Sequence, residues 1–463
     1  MIEAKNVQPG SSGFIPLPAL VSGTDALPTE CLGAVSVLLD DGTVKTFAGT
    51  QTKLYQLATS AWTDVSRLAG GNYAVTSGEH WKWALYGTRL IATNGADAQQ
   101  YIDLVSGTNF AAVAGSPPIA KYIDTVREFV LVGSIAGNEK RVHWSANGNS
   151  EGWTSGTGES DFQDLPNGGP VRGVIGGETG YIFQASKVTR MAYVAGSPLI
   201  FQFDEIEGAA GLASPHSLIR LRSNAFYLAQ DGFRSFDLRS GSSQPIGVGK
   251  WQKWFLKDIK PGTELIVRGA ASPVKPVVVF AYVSTSNATA KPDRLLIVDW
   301  SLDEATFADL SVEMLVQWLS PGIDLDSMNP YGTMETLPFS LDAPFWKGGA
   351  SLFGMFGSDH SLALQSGTPM AARITTADGQ GKGRVFVSGT RPMVDASGIS
   401  VAIAARERFA DSVVFNAAET MEDTGVCPAH ASGNLIRAQI TIPAQSWTLA
   451  QGLETIAGGQ GAR

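Results

Sequence analysis

The chain has 463 residues, of which 44% are hydrophobic and only 17% are charged. This balance excludes general disorder, because the chain carries enough apolar surface to bury a large core. The net charge of −9 at pH 7 argues against tight binding to the phosphates of DNA or RNA. Glycine is abundant, with 52 residues, and many glycines with few charges indicate tight turns and therefore β structure.

The two cysteines, Cys31 and Cys427, stand near opposite ends of the sequence. They provide neither a disulfide framework nor a CxxC zinc pattern, and we expect two buried free thiols. The alternative is a single bridge between the two ends of the chain. Residues 1–10 carry Glu3 and Lys5 without an apolar core, and no uncharged apolar run reaches the ~18–20 residues of a membrane helix. We therefore expect no signal peptide and a soluble product made in a cytoplasm.

The sequence begins with a proline-rich segment, residues 1–33, which contains Pro16, Pro18 and Pro28. Proline fixes φ and removes a backbone donor, so this segment is predicted to be an extended arm that joins a platform domain. Residues 34–380 are predicted to form the main domain. Residues 381–463 are predicted to form a second β domain.

From residue 34 onwards one unit recurs, namely three short strands joined by polar turns. The middle strands of successive units are marked by Tyr55, Tyr101, Trp144, Tyr193, Phe236, Val298 and Leu362. The first five markers are spaced by 46, 43, 49 and 43 residues, and the last two follow after 62 and 64. A period in the mid-forties is typical of β-propeller blades, whose radial packing protects sheet faces and edges. We predict an all-β fold with about seven blades, six to eight being allowed; the alternative is a sandwich of unrelated hairpins.

The two later units carry insertions. The sixth unit is predicted to pair Val277–Phe280 with Leu295–Val298, and the seventh to pair Leu352–Phe356 with Ser361–Leu364.

Helix is predicted at only two places. In Lys250–Lys260, apolar side chains recur at helical spacing from Trp251 to Ile259. The second candidate is Asp303–Leu319.

The last part of the chain, residues 381–463, does not follow the repeat period of the blades. Its apolar alternation predicts strands at Gly383–Val387, Val401–Ala404, Ser412–Phe415 and Ile436–Ile442. We interpret it as a β platform and, together with the arm, as the interface of a ring.

Several short patterns resemble catalytic motifs, but their contexts favour structural interpretations. Gly148–Gly152 matches the GxSxG elbow of hydrolases, yet a glycine-rich stretch follows where a helix is required, so a turn is predicted. Ser145–Gly148 with Trp153 is loosely similar to the Asp-box turn of sialidase propellers. Gly247–Lys250 lacks the upstream glycine and the following Ser or Thr of a phosphate-binding loop.

Charged and metal-ligating residues give no stronger signal. Asp204, Glu205 and Glu207 offer a candidate glycosidase carboxylate pair, and a solvated blade edge is the preferred interpretation. The five histidines show no HxH or HxxxH spacing: His80, His143, His216, His360 and His430. We therefore predict no catalytic, cofactor-binding or metal-binding residues, no cofactor, and a protein that is not an enzyme.

The segment Lys250–Lys260 also mixes lysines with aromatic residues, a pattern found in surfaces that bind nucleic acid or lipid. The preferred interpretation is a linker helix that lays its apolar stripe on the propeller and leaves its lysines in water.

Some stretches of the chain resemble tail proteins of short-tailed bacteriophages. The resemblance lies in Thr46–Tyr55, Trp81–Trp83, Arg89–Gly95, Arg141–Ser145 with Trp153, Asp161–Asp164 and Ile442–Thr448. The family is the tail nozzle, also called tail tubular protein B or packaged-DNA stabilisation hub. The resemblance covers most of residues 35–250 and, faintly, 436–463.

That family implies a virion structural protein that forms a homohexameric ring below the portal and adaptor, assembled in the bacterial host cytoplasm. The ring retains the genome and then conducts it during ejection. The implied partners are other copies of the chain, the head-to-tail adaptor, other tail or fibre proteins, and DNA that passes through the lumen without specific binding. The family implies no membrane insertion and no catalytic residues.

Two other functions remain open from the sequence. One is a carbohydrate-binding or glycoside-processing propeller, which requires arginines that converge on one cleft. Its candidates lie in successive units: Arg141, Arg172, Arg190, Arg220 and Arg234. The other is a receptor-contacting tail-tip protein, which requires binding of the isolated chain to host surface material.

Overall fold

The computed structural model describes residues 3–323, 326–333 and 336–459. Contacts divide it into a propeller unit, residues 22–293 and 311–364, and a terminal unit formed by the residues before 22, residues 294–310 and the residues from 365 onwards. These boundaries differ from the predicted ones at residues 33 and 380. The difference arises because backbone pairing, rather than position in the chain, decides which segments fold together.

In the residues that the structure describes, the propeller unit contains six blades, each a four-stranded antiparallel sheet. Blade 1 consists of Ala34–Leu38, Val44–Gly49, Leu54–Ala58 and Ala61–Asp64. Blade 2 consists of Lys82–Tyr86, Arg89–Thr93, Gln100–Asp103 and Ala111–Ala112. Blade 3 consists of Ala120–Val126, Phe129–Ile135, Asn138–Trp144 and Asp161–Asp164. Blade 4 consists of Val171–Ile175, Gly180–Gln184, Val188–Tyr193 and Phe201–Glu205. Blade 5 consists of Ile219–Leu221, Asn224–Ala229, Gly232–Asp237 and Ser242–Pro245. Blade 6 consists of Val312–Leu319, Ser351–Gly357, Ser361–Pro369 and Pro18–Ala26. The predicted propeller is confirmed, with a blade count inside the predicted range.

Burial changes systematically across each blade. The second strands are the most buried, and Phe129–Ile135 and Gly180–Gln184 have no exposed residue. The fourth strands are largely exposed, as in Ala61–Asp64 and Ser242–Pro245. The second strands therefore read as nearly continuous apolar runs, because both of their faces pack against neighbouring sheets.

A hairpin formed by Arg268–Ala271 and Val277–Tyr282 lies beside the first strands of blades 5 and 6. It contains the predicted first half of the sixth unit. The predicted partner, Leu295–Val298, lies in the strand Arg294–Asp299, which is counted with the terminal unit.

The start of the chain completes the last blade, so residues 22–26 belong to the propeller and not to an arm. The backbone N–H of Leu362 donates to Thr24 Oγ1 over 3.1 Å, and the hydroxyls of Ser22 and Ser361 lie 2.7 Å apart. Strands from distant parts of the sequence thus close the ring, which leaves fewer open sheet edges.

Helix is scarce, as predicted. The α-helix Gln252–Asp258 confirms the first candidate. The second prediction is wrong, because Asp303–Leu319 forms the strands Glu304–Asp309 and Val312–Leu319. The second of these pairs with Ser351–Gly357 along nearly its whole length, and this long-range ladder outweighs a local helical pattern.

Short 3₁₀ turns supply the rest of the helical structure in the described part of the chain: Pro166–Gly168, Pro215–Ser217, Glu264–Ile266, Asp326–Tyr331 and Pro344–Trp346. Among the described residues, no helix has the length and apolar character that a membrane crossing requires.

The terminal unit is a β structure built from segments that are far apart in the sequence. Its strands are Glu3–Lys5, Val7–Gly10, Gly13–Pro16, Arg294–Asp299, Glu304–Asp309, Ala372–Thr375, Gly379–Val394, Ser400–Arg406, Glu419–Thr420, Cys427–Ile442 and Ala450–Gly459. The strand Glu3–Lys5 runs antiparallel to Ala372–Thr375 and parallel to Glu304–Asp309. Both ends of the chain contribute to one apolar core, which includes Ala4, Val7, Ile374, Ile440 and Trp447.

Three of the four strands predicted in the last part of the chain lie inside observed strands. The prediction for Ser412–Phe415 is wrong, because this stretch is irregular. The strand Ser400–Arg406 pairs at one edge with the short strand Glu419–Thr420. A single backbone bond, from Asn416 N–H to Ile403 O over 2.9 Å, holds the irregular stretch nearby.

Candidate functional site

Two cavities lie near the axis of the propeller unit. The first, which we call the loop cavity, has a volume of about 610 Å³ and is lined by residues 29, 30, 32, 75–80, 265, 266, 268 and His216 among others. These segments lead into the first strands of blades 1, 2 and 5 and of the hairpin. The second, which we call the axial channel, has a volume of about 500 Å³ and is lined mainly by first strands. No local motif marks either cavity in the sequence.

Arg268 is the central cation of the loop cavity and is only 8% exposed. Its Nη1 donates to the backbone carbonyl of Glu313, and its Nη2 lies 3.5 Å from Glu30 Oε1. Lys291 Nζ approaches the other oxygen of Glu30 at 3.2 Å. Burial lowers the pKa of Arg268, although the nearby carboxylate of Glu30 opposes this effect. The charges of Arg268, Lys291 and Glu30 therefore largely compensate one another.

Cys31 lies behind this network and is fully buried. Its backbone N–H donates to Glu313 Oε2 over 3.1 Å, and Glu313 Oε1 lies 2.7 Å from His360 Nδ1. Burial raises the pKa of the Cys31 thiol to about 12, so the thiol stays protonated and unreactive. Cys427 is also free and buried, which confirms the prediction of two free thiols.

His80 and His216 lie against each other in the wall of the loop cavity, with ring centroids 3.8 Å apart and ring planes tilted by 34°. His216 Nε2 lies 3.0 Å from the carbonyl oxygen of Gly78, so this nitrogen carries the proton. Its Nδ1 has no hydrogen-bond partner in the described part of the chain. Burial lowers the pKa of both rings well below 6.5, and the same effect lowers the pKa of Lys82 to about 8.

This pair predicts a stability that falls in acid. Both histidines are neutral when folded and ionise near pH 6.5 when unfolded, so the unfolded state binds more protons as the pH falls below 6.5. Each ring then costs up to about 1.4 kcal/mol of unfolding free energy per pH unit. We expect His216→Phe, which removes one of the two, to reduce the loss between pH 7 and pH 5.5 by about 1 kcal/mol in urea unfolding. A variant with the same pH slope as the wild type would contradict this.

The GxSxG match forms a turn, as predicted. Asn149 N–H donates to Ala146 O over 3.1 Å, and Trp153 Nε1 donates to Ser150 O over 2.8 Å. The hydroxyl of Ser150 lies 3.3 Å from Arg89 Nη1. No helix follows this serine, so it lacks the setting of a hydrolase nucleophile.

The candidate carboxylates lie at the outer edge of blade 4. Asp204 accepts from Arg190 over 2.8 Å, and Glu205 pairs with Lys187. Glu207 is exposed beyond the strand. This arrangement agrees with the solvated-edge interpretation.

The five arginines of successive units do not converge on one cleft. Arg141, Arg190 and Arg234 pair with carboxylates of their own blades, Asp164, Asp204 and Asp231. The other two sit on first strands and donate to backbone carbonyls: Arg172 to Leu212 and Ala213, and Arg220 to Gly176.

The remaining histidines occupy separate places. His143 packs edge-on against Trp153, and His430 stacks near Phe386. Across the residues that the structure describes, no group of three or more His, Cys, Asp or Glu side chains is placed to hold a metal ion.

The basic and aromatic helix packs as the linker interpretation predicted. Trp251 and Phe255 contact Phe233 with ring centroids 5.5 Å and 4.8 Å away. Lys253 and Lys257 are exposed on the opposite side. The aromatic stripe is therefore part of the propeller core.

The terminal unit contains a buried ion triad. Asp378 accepts two hydrogen bonds from Arg437, over 3.1 Å and 2.8 Å, and a third from Arg406. Burial opposes ionisation of Asp378, but the hydrogen bonds from the two arginines outweigh it and lower the pKa of the carboxyl. The triad joins segments that the sequence separates by up to 59 residues.

Comparisons with known proteins identify no family for this chain. No protein-family model and no curated protein matches the sequence. Among solved structures, the chain is similar to BamB from Moraxella catarrhalis, with 10% identity, a TM-score of 0.37, and coverage of 77% of this chain and 92% of that one. It is also similar to the computationally designed Ika8 protein (10% identity, TM-score 0.41, 78% and 96% covered) and to the RRP9 WD40 repeats (11%, 0.39, 65% and 88%).

Proposed function

We propose that the chain is a structural subunit of a bacteriophage tail nozzle, a homohexameric ring below the portal and adaptor that retains and then conducts the genome. The observation that carries this proposal is the terminal unit. Segments from both ends of the chain fold into one β structure with strands of 16 residues at Gly379–Val394 and Cys427–Ile442. The resemblance to the tail nozzle family also implies a β platform made from terminal segments, with the propeller on the outside.

A loop of the terminal unit, residues 407–418, has the features of a subunit contact. It is irregular, and two of its apolar side chains are strongly exposed, Phe409 at 76% and Val414 at 69%. Exposed apolar side chains that lie close in the sequence favour association with another surface. We assign this loop to the contact with the next copy of the chain in the ring.

The charge of the chain supports a conduit more than a DNA-binding protein. A net charge of −9 on each subunit, repeated around a ring, repels phosphates and allows DNA to pass without specific binding. The proposal assigns no catalytic step and no cofactor to the chain, and it places the protein in the virion.

The test is native mass spectrometry of the full chain, with electron microscopy of the same sample. We expect a species of six times 48.9 kDa and a sixfold ring that docks onto a purified adaptor. A double variant, Phe409→Ser with Val414→Ser, is expected to yield monomers, because it removes the apolar contact.

The matched control is Val105→Ser with Leu199→Ser, which changes two similarly exposed side chains on the propeller unit, at 74% and 75%. It is expected to leave the ring intact. A wild-type chain that stays monomeric at every concentration would overturn the proposal. Rings that survive the Phe409 and Val414 variant would overturn only the assignment of the loop.

A further inference from the structure

One long edge of the terminal unit has no strand beside it. The strand Ala450–Gly459 pairs along one side with Gly379–Val394. On its other side, within the described part of the chain, it pairs only at Ala450, with Phe14. Residues 451–459, which we call the acceptor edge, therefore present unpaired backbone N–H and C=O groups, because every second residue of an antiparallel strand directs these groups to that side. Such an edge is a template for a further strand.

The acceptor edge carries little that would keep another strand away. Proteins protect exposed edges with charged side chains, especially lysine, and with proline. Residues 451–459 include neither lysine nor proline. Their one charged residue, Glu454, lies 3.1 Å from Arg391 of the neighbouring strand, and Ile456 is 37% exposed. An edge of this length and composition is expected to be covered by another chain segment.

The loop of residues 407–418 contains a segment that favours a strand but forms none. Residues 412–415 are Ser-Val-Val-Phe, and valine and phenylalanine favour extended backbone. The structure shows this segment as irregular. Among the described backbone N–H groups of residues 412–418, only that of Asn416 donates to a backbone carbonyl, which belongs to Ile403. The segment therefore has both the propensity and the free backbone groups of an unpaired strand.

The loop and the acceptor edge lie on opposite sides of one sheet. The strands follow in the order Ala450–Gly459, Gly379–Val394, Cys427–Ile442 and Ser400–Arg406, and the loop continues directly from the last of these. This order separates the loop from the acceptor edge of its own chain, so each surface is free for a different neighbour. A contact between two different surfaces of the same chain is head-to-tail and can close into a ring.

We propose that residues 412–418 of one copy add as a strand to the acceptor edge of the next copy. This inference rests on the proposed ring and names the surface on which the exposed loop docks. Strand addition supplies main-chain hydrogen bonds to both segments. Around a closed ring, every copy donates one strand and accepts one, so no acceptor edge stays open.

The first test cross-links two co-expressed full-length chains, each with one introduced cysteine. One chain carries Val414→Cys, and the other carries a cysteine at each position from 453 to 457 in turn. Cys31 and Cys427 are buried and do not compete. After oxidation we expect a disulfide-linked heterodimer for at least one position, because neighbouring strands lie about 5 Å apart.

The matched control for the cross-link replaces the acceptor cysteine with Met393→Cys. Met393 is 48% exposed and lies on the adjacent strand, opposite Gly452. The added segment would be two strand spacings away from it, about 10 Å, which is outside the reach of a disulfide. We therefore expect no heterodimer with this variant.

The second test removes one backbone donor of the acceptor edge. Ser388 Oγ donates to Ile456 O over 3.3 Å from the adjacent strand, so Ile456 directs its backbone groups inward and Thr455 directs its own toward the open edge. Thr455→Pro removes this N–H and is expected to raise the concentration needed for half-assembly of the ring by about tenfold or more, because the loss of one hydrogen bond already accounts for that factor. Thr455→Val keeps the N–H and is expected to leave assembly unchanged.

Native mass spectrometry of the same samples separates this inference from the proposed function. Rings without any heterodimer, or a cross-link to Met393→Cys as strong as to the acceptor edge, would overturn strand addition and leave the ring. Equal assembly of Thr455→Pro and Thr455→Val would do the same. If the wild-type chain forms no ring, the ring proposal fails, whereas a cross-link confined to residues 453–457 would still support strand addition between copies. The cross-link comparison stands even if Thr455→Pro fails to fold.

Discussion

Replacing Asp378 with asparagine is expected to lower the free energy of unfolding of the terminal unit by about 3–5 kcal/mol. The side chain of Asp378 is only 8% exposed, and it is the shared partner of Arg406 and Arg437, which are 9% and 16% exposed. Asparagine has a similar shape but no charge, so it leaves two buried cations next to each other. The measurement is urea unfolding with hydrogen exchange of peptides from Cys427–Ile442, the strand that carries Arg437.

The control for this prediction is Glu454→Gln. Glu454 pairs with Arg391 at 3.1 Å in the same unit, but both side chains are about half exposed, at 49% and 51%. Surface pairs of this kind contribute at most about 1 kcal/mol, so the effect should be several times smaller. If both variants lost the same unfolding free energy, burial of the triad would not be the reason that it stabilises the terminal unit.

The second large effect is expected from Phe236→Ala, which should cost about 3–5 kcal/mol of unfolding free energy. Phe236 belongs to blade 5 and is fully buried. Its ring lies edge-on to Tyr181 and Phe183 of blade 4, with centroids 5.0 Å and 5.5 Å away. Alanine leaves a cavity between blades 4 and 5. The two sheets cannot close this cavity without moving the other blades of the propeller.

Phe162→Ala provides the comparison, measured by the same urea titration. Phe162 lies on the outer strand of blade 3 and is 38% exposed, so its removal opens no enclosed cavity. We expect it to cost no more than about 1 kcal/mol. If both variants lost the same amount, the packing between blades would not be what stabilises the propeller.

The paired histidines His80 and His216 show a limit of sequence reasoning. Spacing rules search for ligands within a few residues, whereas His80 and His216 reach the same wall from blades 2 and 5. The same holds for Asp378 with its two arginines and for Arg268 with Glu30. In the sequence, each of these residues is an ordinary polar residue. The closed propeller brings His80 to His216 and Arg268 to Glu30, and the sheet of the terminal unit brings Asp378 to its two arginines.

The amino-acid sequence alone was enough to predict the β class, the repeat period of the propeller, the helix Gln252–Asp258 and the structural character of the GxSxG match, because each depends on local spacing of apolar and turn-forming residues. Only the tertiary structure decided that Asp303–Leu319 is extended, that residues 22–26 close the last blade, and that both chain ends share one core. These features depend on backbone ladders between segments that lie tens to hundreds of residues apart. Such pairing is set by which edges remain open once the rest of the chain has folded, and no short window of sequence contains that information.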